Sequence, residues 1–295
     1  PRFFLGIGLI RRLCRQDHPH FVHLRGLVPA VIYKLSFVKR PYLYDFRGFD
    51  LGTWVDEGKV AVGRPVHYIL NLVDQSAIKN ASGLVVLEQS AKRLLRKVYS
   101  VPDVPFKVIR TCTDVDRYKV RDKLSAQANN KSLRFVFLGG ARTPYRADLA
   151  LLLIKRMLKN GLDCYLDFIN VGEHLEIEKA IDFVGLSSDR VRVFGRDQGE
   201  IPEALFSYDC GIIMIETSKW RRVCSPTKLG EYLAAGLPVI SLEGIDIIDE
   251  FSQRTCCVIN LSKSDLETKF SQEKVNQILD LIRRKNIAYD CQLLA

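Results

Sequence analysis

The sequence predicts an α/β protein of two tandem doubly wound domains, and three observations carry that prediction. Short apolar runs alternate with amphipathic helical stretches along nearly the whole chain, which is the pattern of βα units pairing into parallel sheets. At 295 residues the chain exceeds the usual size of one hydrophobic core, so two domains are expected. The polar, turn-rich stretch SAQANNKS at 125–132 interrupts the alternation and has the composition of a linker. The expected domains are therefore 1–128 and 129–295.

In the first domain a basic amphipathic stretch, Phe3–Arg15, reads as a helix leading to the strand FVHLR. A helix near 27–38 leads to YLYDFRG, and a long helix near 64–80 leads to GLVVLE. The helix SAKRLLRKVY, capped by Ser90, precedes the strand FKVIRT. Only about four strands can be read here, fewer than a complete dinucleotide-type half has. With Pro1 in the place of a methionine, an N-terminally truncated first domain is expected. In the second domain LRFVFLG (133–139) is a short apolar run closed by glycine, a buried parallel strand. A helix from Ala147 ends at Gly161, which suits the position after a helix C-cap. CYLDFIN, a helix from about Glu173 to Val184, RVRVFG, a short helix near PEALFSY, and CGIIMI follow. Then come CSPTKLGEYLAAGLPVI, a short acidic helix, CCVIN, and a last helix from about Asp265 to Lys285.

Composition sets the class. At 47% hydrophobic and 26% charged, with no low-complexity tract, the chain is that of an ordinary globular protein. No apolar run approaches the ~20 residues of a membrane-spanning helix, and no signal peptide can be read. The eight cysteines lack CxxC pairs and metal-ligand spacing, so they are expected to be reduced, mostly buried and cytoplasmic. Residues 1–128 hold 22 Lys and Arg against 11 Asp and Glu, so all the excess of the +10 net charge lies there. A basic half attracts phosphates or an anionic membrane surface. Its charges are dispersed and no RRM, KH or zinc-finger signature is present, so nucleic acid is not an expected partner.

In parallel α/β sheets, ligands sit outside the carboxyl ends of the strands. That rule selects His23, Arg25, Asp45, Arg47, Glu88, Thr111, the loop Gly139–Tyr145 (with Gly140 and Thr143), Gly195, Glu216 and the segment 224–231. No G-x-G-x-x-G follows any strand, which argues against nicotinamide chemistry. The segment 224–231 holds the richest chemistry. Ser225 followed by Pro226 is a helix start with proline at the first helical position. Gly236 and then Pro238 end the helix. Such a start offers unpaired amides and the positive end of the helix dipole. The hydroxyls of Ser225 and Thr227 and the charge of Lys228 suit a diphosphate, and Glu231 shares the face of Lys228. Two readings fit this pattern: an anion site, or a capped core helix with a surface Lys–Glu pair. Gly139-Gly140, where bare backbone can approach a ligand on the same sheet edge, favours the first.

These residues carry a resemblance. SPTKLGEYLAAGLPVI (225–240) resembles the donor-site segment of family-4 retaining glycosyltransferases of the GT-B fold, closest to the group that builds bacterial surface polysaccharides. VHLRG (22–26), YDFRGF (44–49), VIRTCTDVDRY (108–118), FLGGARTPY (137–145) and VFG (193–195) agree with it. The resemblance implies two Rossmann-like domains facing across a cleft, a nucleotide-sugar donor (UDP-, GDP- or dTDP-) on the second and a saccharide or lipid-diphosphate-linked acceptor on the first. It implies transfer with retention, Glu231 on the donor ribose, the diphosphate at the helix start of Ser225, Pro226, Thr227 and Lys228 and the loop before it, and donor binding at Gly139, Gly140, Thr143 and Gly195. Arg25, Asp45 and Arg47 fall where acceptor and leaving group should meet, and Lys228 is the expected stabiliser of the departing charge. No metal and no cofactor are expected. Two positions depart from the family: Val223 replaces a glutamate that touches the sugar, and Gly140-Ala141 replaces an arginine, for which Arg142 or Arg146 can substitute. The basic helix Phe3–Arg15 is read either as a buried helix with basic edges or as lying on an inner-membrane surface. The rival functions are a nucleotide-sugar epimerase and a non-catalytic nucleotide-sugar binder.

Overall fold

The computed structural model of the 295-residue chain describes residues 2–99, 101, 104–120, 132–142, 144–268, 270–284, 287–292 and 294. The chain divides into two compact units. The first comprises Pro1–Arg110 together with Lys219–Ser225, and the second comprises Thr111–Ser218 and Pro226–Ala295. The boundary expected at 128 lies outside the described residues, and the segment 219–225 belongs to a unit that sequence order alone did not assign it to.

Among the described residues the first unit has four parallel strands, β1 (Val22–Arg25), β2 (Tyr42–Phe46), β3 (Gly83–Val86) and β4 (Phe106–Val108), which neighbour one another in chain order. The helices are α1 (Arg2–Gln16), α2 (Leu27–Leu35), α3 (Asp50–Asp56), α4 (Pro65–Lys79) and α5 (Gln89–Tyr99). The short α3 was not read from the sequence. It has a local task, because its Asp50 carboxylate accepts the Leu27 amide at 2.9 Å and so completes the start of α2. Ser90 does not cap α5. The helix already begins at Gln89, the Ala91 amide donates to the Glu88 carbonyl, and the Ser90 hydroxyl is buried without a hydrogen-bond partner.

Aromatic side chains dominate this core. Tyr44, Phe46, Phe49, Leu84 and Leu95 are almost fully buried, and Trp220 and Val223 from the returning segment pack with them. The Trp220 ring lies over Gly52, where a Cβ would come within 2.5 Å of it, and sits 5.2 Å from the Phe49 ring. Arg221, itself buried, pairs with Glu57 at 3.2 Å. Within the same core the Asp74 carboxylate accepts hydrogen bonds from Tyr44 at 3.0 Å and Tyr99 at 2.8 Å. Burial pushes the Asp74 carboxyl up to about 6, against the two hydroxyls that favour its charged form.

Among the described residues the second unit has six parallel strands: β5 (Leu133–Leu138), β6 (Cys164–Ile169), β7 (Val191–Phe194), β8 (Cys210–Ile213), β9 (Val239–Leu242) and β10 (Val258–Leu261). Their order in the sheet is β10-β9-β8-β5-β6-β7, so the winding direction reverses between β5 and β8. The helices are α6 (Ala147–Lys159), α7 (His174–Val184), α8 (Ile201–Leu205), α9 (Thr227–Ala234), α10 (Asp246–Arg254), α11 (Lys263–Glu267), α12 (Gln272–Arg283) and α13 (Ile287–Gln292). The single last helix expected from 265 to 285 is divided. Ser262 caps α11 in a reciprocal box with Asp265, and Ser271 accepts the Lys274 amide to start α12 anew. Gly161 and Gly236 have left-handed φ values of 80° and 70° just past α6 and α9, where glycine ends a helix at least cost. All eight cysteines are free thiols, but only Cys164, Cys210, Cys257 and Cys291 are buried, and Cys112 is exposed.

Asp74 makes a prediction about pH. Its folded-state value lies above its ordinary one, so the folded chain holds a proton there that the unfolded chain has lost. This contribution to stability is present at low pH and is lost as pH rises through about 6. Measured by urea denaturation, wild type should gain about 1 kcal/mol over Asp74→Asn when pH falls from about 7 to about 5. A difference that does not change with pH would refute the assignment.

Candidate functional site

The reversal between β5 and β8 opens a crevice outside the carboxyl ends of these strands, the place where such sheets bind ligands. Three segments of the second unit meet there: the loop after β5, the turn after β6, and the start of α9. Gly139 follows β5 directly with φ 110°, and an added Cβ would meet Lys228 Cε at 3.2 Å. Glycine at 139 therefore lets the lysine stem lie against the end of the strand. Lys228 Nζ is 3.0 Å from Glu231 Oε2, and both side chains are largely withdrawn from solvent. Leu229 and Leu233 point the other way and are buried.

The start of α9 differs from the sequence expectation by one residue. Pro226, with ψ 123°, is the N-cap rather than the first helical residue, and it supplies no side-chain cap. Ser225 is buried and belongs to the segment 219–225 of the first unit. Thr227 and Lys228 are thus the first two helical residues, where amides have no acceptor within the helix. Thr113 and Tyr118 flank the other side of α9. A Cβ on Gly230 would meet Thr113 Cγ2 at 3.6 Å. Burial raises the Tyr118 hydroxyl above its ordinary value, with the Glu231 charge adding to that shift.

The loop after β5 is held by the turn after β6. Asn170 donates from Nδ2 to the Gly139 carbonyl at 2.7 Å, and Glu173 Oε2 accepts the amides of Ala141 at 2.5 Å and Arg142 at 3.2 Å. Gly195 lies beside this turn, 3.7 Å from the Asn170 carbonyl when a Cβ is placed on it. Gly140 packs against Tyr145 and Glu173. Sequence reasoning did not select Asn170 and Glu173, because their partners are main-chain groups far away in the chain. Arg142 pairs with Glu176, and Arg146 bridges Asp148 and Glu216, reaching the latter at 2.8 Å. Both arginines considered as substitutes for the missing family arginine are therefore engaged in ion pairs. Thr143 lies outside the described residues.

The remaining candidates stand on the first unit. Arg25 and Asp45 are register partners at the carboxyl ends of β1 and β2. The Asp45 carboxylate is buried, with His23, Arg25 and Arg47 at 3.6, 3.8 and 3.7 Å. Those distances are charge contacts, and Asp45 Oδ1 is buried without a hydrogen-bond partner. A buried carboxylate with one oxygen unsatisfied, beside two arginines and a histidine, favours a further donor, such as a hydroxyl, at this sheet edge. Val223, which stands where the family resemblance leads one to expect a glutamate, is 1% exposed inside the aromatic core. Among the described residues, no group of three or more His, Cys, Asp or Glu side chains is arranged to hold a metal ion.

No protein-family model and no curated protein sequence matches the chain. Solved structures do, among them glycosyltransferases and sugar-phosphate synthases of the GT-B fold, and the two-sheet α/β architecture is that fold. The chain is similar to sucrose-phosphate synthase from Thermosynechococcus elongatus, with a TM-score of 0.72 at 14% identity over 98% of this chain and 72% of that one. It is similar to HepE of Anabaena, solved in complex with UDP and glucose, with a TM-score of 0.69 at 14% identity over 98% and 75% of the two chains. A third likeness is to WaaG, a glycosyltransferase involved in lipopolysaccharide biosynthesis, with a TM-score of 0.62 at 13% identity over 100% and 90%.

Val223 yields a test that separates a core position from a ligand-facing one. Val223→Glu buries a carboxylate in an apolar core and should cost about 3 kcal/mol or more in urea denaturation at neutral pH. Val223→Ala should cost about 1–2 kcal/mol. A Glu variant as stable as wild type would show that the side chain at 223 faces solvent or a ligand.

Proposed function

We propose that the chain is a glycosyltransferase that draws on a nucleotide-sugar donor held at the carboxyl ends of β5 and β8. The observation that carries this reading is the apposition of Lys228, at the start of α9, to the bare backbone of Gly139 at the reversal of the sheet. A diphosphate seated there meets a lysine, the first amides of a helix and a glycine that leaves it room. The proposed donor set is Gly139, Gly140, Thr143, Gly195, Ser225, Pro226, Thr227, Lys228 and Glu231. Glu231 pairs with Lys228, and the pair keeps both groups in place for a ligand that divides them. The phosphates take the ammonium, and the carboxylate turns to the ribose hydroxyls.

The reaction proposed is transfer with retention and without a metal ion. The bond between the sugar and the nucleoside diphosphate breaks through an oxocarbenium-like transition state. Negative charge then grows on the leaving diphosphate, where Lys228 and the amides of Thr227 and Lys228 stabilise it without rearrangement. Arg25, Asp45 and Arg47 are proposed on the acceptor side, the orphaned Asp45 oxygen taking an acceptor hydroxyl. A saccharide or lipid-diphosphate-linked acceptor fits the basic first half, which points to synthesis of a polysaccharide or glycoconjugate at the cytoplasmic side of a membrane. HepE was solved with UDP and glucose, so UDP-sugars are the first donors to try.

Thermal-shift titration with UDP-, GDP- and dTDP-sugars tests the donor site. One nucleotide series should raise the melting temperature. Lys228→Ala should weaken that binding by about tenfold to a hundredfold, the value of a charge-assisted hydrogen bond. No shift from any of the three, or an unaltered affinity in Lys228→Ala, would overturn the reading.

A further inference from the structure

A second cationic feature lies on the first unit, away from the carboxyl ends of its strands. α1 packs on α2 through one face only, with Gly6 against Ile32. The exposed surface of the helix is divided lengthwise. Its first half is apolar and open to solvent, with Phe4 and Leu5 70–75% exposed, and its second half carries Arg11, Arg12 and Arg15, with Leu9 and Leu13 along the flank. Ile10 packs against the core, whereas Phe4, Leu5, Leu9 and Leu13 of the same helix are exposed.

Below the arginine half, a cavity of about 420 Å³ opens between α1 and the connection from α2 to β2. Arg11, Arg15 and Arg40 line it together with Cys14, Ser36, Phe37 and Val38, and no carboxylate is among the lining residues. Arg11 is fixed there, donating from Nε to the Ser36 carbonyl at 2.8 Å and lying over the Phe37 ring at 5.8 Å. Phe37 is the unusual member. It has φ 56°, a left-handed conformation that costs an L-residue with a large side chain about 1 kcal/mol or more, and its ring is 78% exposed. The backbone is thus held in a strained turn that presents an aromatic ring to solvent at the mouth of a three-arginine pocket.

The geometry points to an anionic lipid surface as the partner of this face. A lipid phosphate enters the pocket of Arg11, Arg15 and Arg40, while Phe37 and the exposed Phe4–Leu5 end of α1 enter the apolar layer beside it. Charge complementarity selects this occupant. Three guanidinium groups without a carboxylate suit a surface of phosphates, whereas a second copy of the chain would bring its own arginines against them. An interfacial helix and a headgroup pocket supply the two signals that stable membrane docking needs.

The test is co-sedimentation of the full chain with vesicles of phosphatidylcholine alone and with phosphatidylglycerol added at one part in three. Binding is expected only to the anionic vesicles and should fall with salt. Arg15→Gln and Arg40→Gln should each lower the partition coefficient about fivefold. Phe37→Gly should lower it while leaving the melting temperature unchanged or higher, since glycine adopts the left-handed turn freely. Equal binding to neutral vesicles, or undiminished binding of these variants, overturns the proposal. So does inorganic phosphate that raises the melting temperature and strips the chain from vesicles, which would make the ligand a soluble phosphate. A dimer in wild type that Phe37→Gly converts to monomer would assign the face to a second copy instead.

Discussion

The hydroxyl of Tyr232 is the point on which the second unit's site depends. The side chain is fully buried, its ring lies on Gly211 of β8, and a Cβ there would come within 2.4 Å of it. The hydroxyl accepts the Leu138 amide at 2.7 Å and has the carbonyls of Val136 and Ile212 at 3.3 and 3.4 Å as acceptors for its own proton. One side chain of α9 thereby grips the last residue of β5 and the middle of β8, the two strands on either side of the reversal. One turn earlier on the same helix, Lys228 is brought against Gly139. The pairing of a glycine in a strand with a tyrosine on the helix above it sets the position of the cation to within the tolerance of a packed interior.

The loop after β5 is ordered by the same economy of main-chain partners. Asn170 holds a carbonyl and Glu173 holds two amides of a loop that has few apolar side chains to bury. Glu173 is an anion resting on adjacent amides, so these amides prefer negative charge. The buried Asp45 of the first unit shows the complementary arrangement, a carboxylate with Arg25, Arg47 and His23 around it at 3.6–3.8 Å. Each unit therefore presents groups at its strand ends whose hydrogen-bonding or charge balance a ligand can improve.

Much of this was legible in the chain. The ten strands among the described residues follow from apolar runs closed by glycine or a polar turn, since buried parallel strands need no alternation. Lys228, Glu231 and Gly139 were legible as residues at strand and helix ends, and their proximity follows from the parallel order. What escaped the sequence was long-range or marginal in energy. The offset between Ser225 and Pro226 at the start of α9, and the start of α5 ahead of Ser90, reflect competition between neighbouring helix starts worth about 1 kcal/mol. The exposed face of α1 could not be told from a buried one, because amphipathicity reports two faces and not which of them is covered. Glu173, Asn170 and Asp74 were invisible for want of any local pattern, their partners being backbone amides or tyrosines elsewhere.

The return of residues 219–225 to the first unit has a consequence for how the chain is made. Trp220 and Val223 complete a core whose other members lie before Arg110, so that core stays unfinished until most of the second unit has left the ribosome. Closing so long an intervening loop adds only a logarithmic entropy cost once the second unit is folded and its ends are near. Before that, the nascent first unit exposes Gly52 and Phe49 without their tryptophan cover. Synthesis runs from the amino end, but the last stitch of the amino-terminal core is sewn by the carboxyl-terminal half.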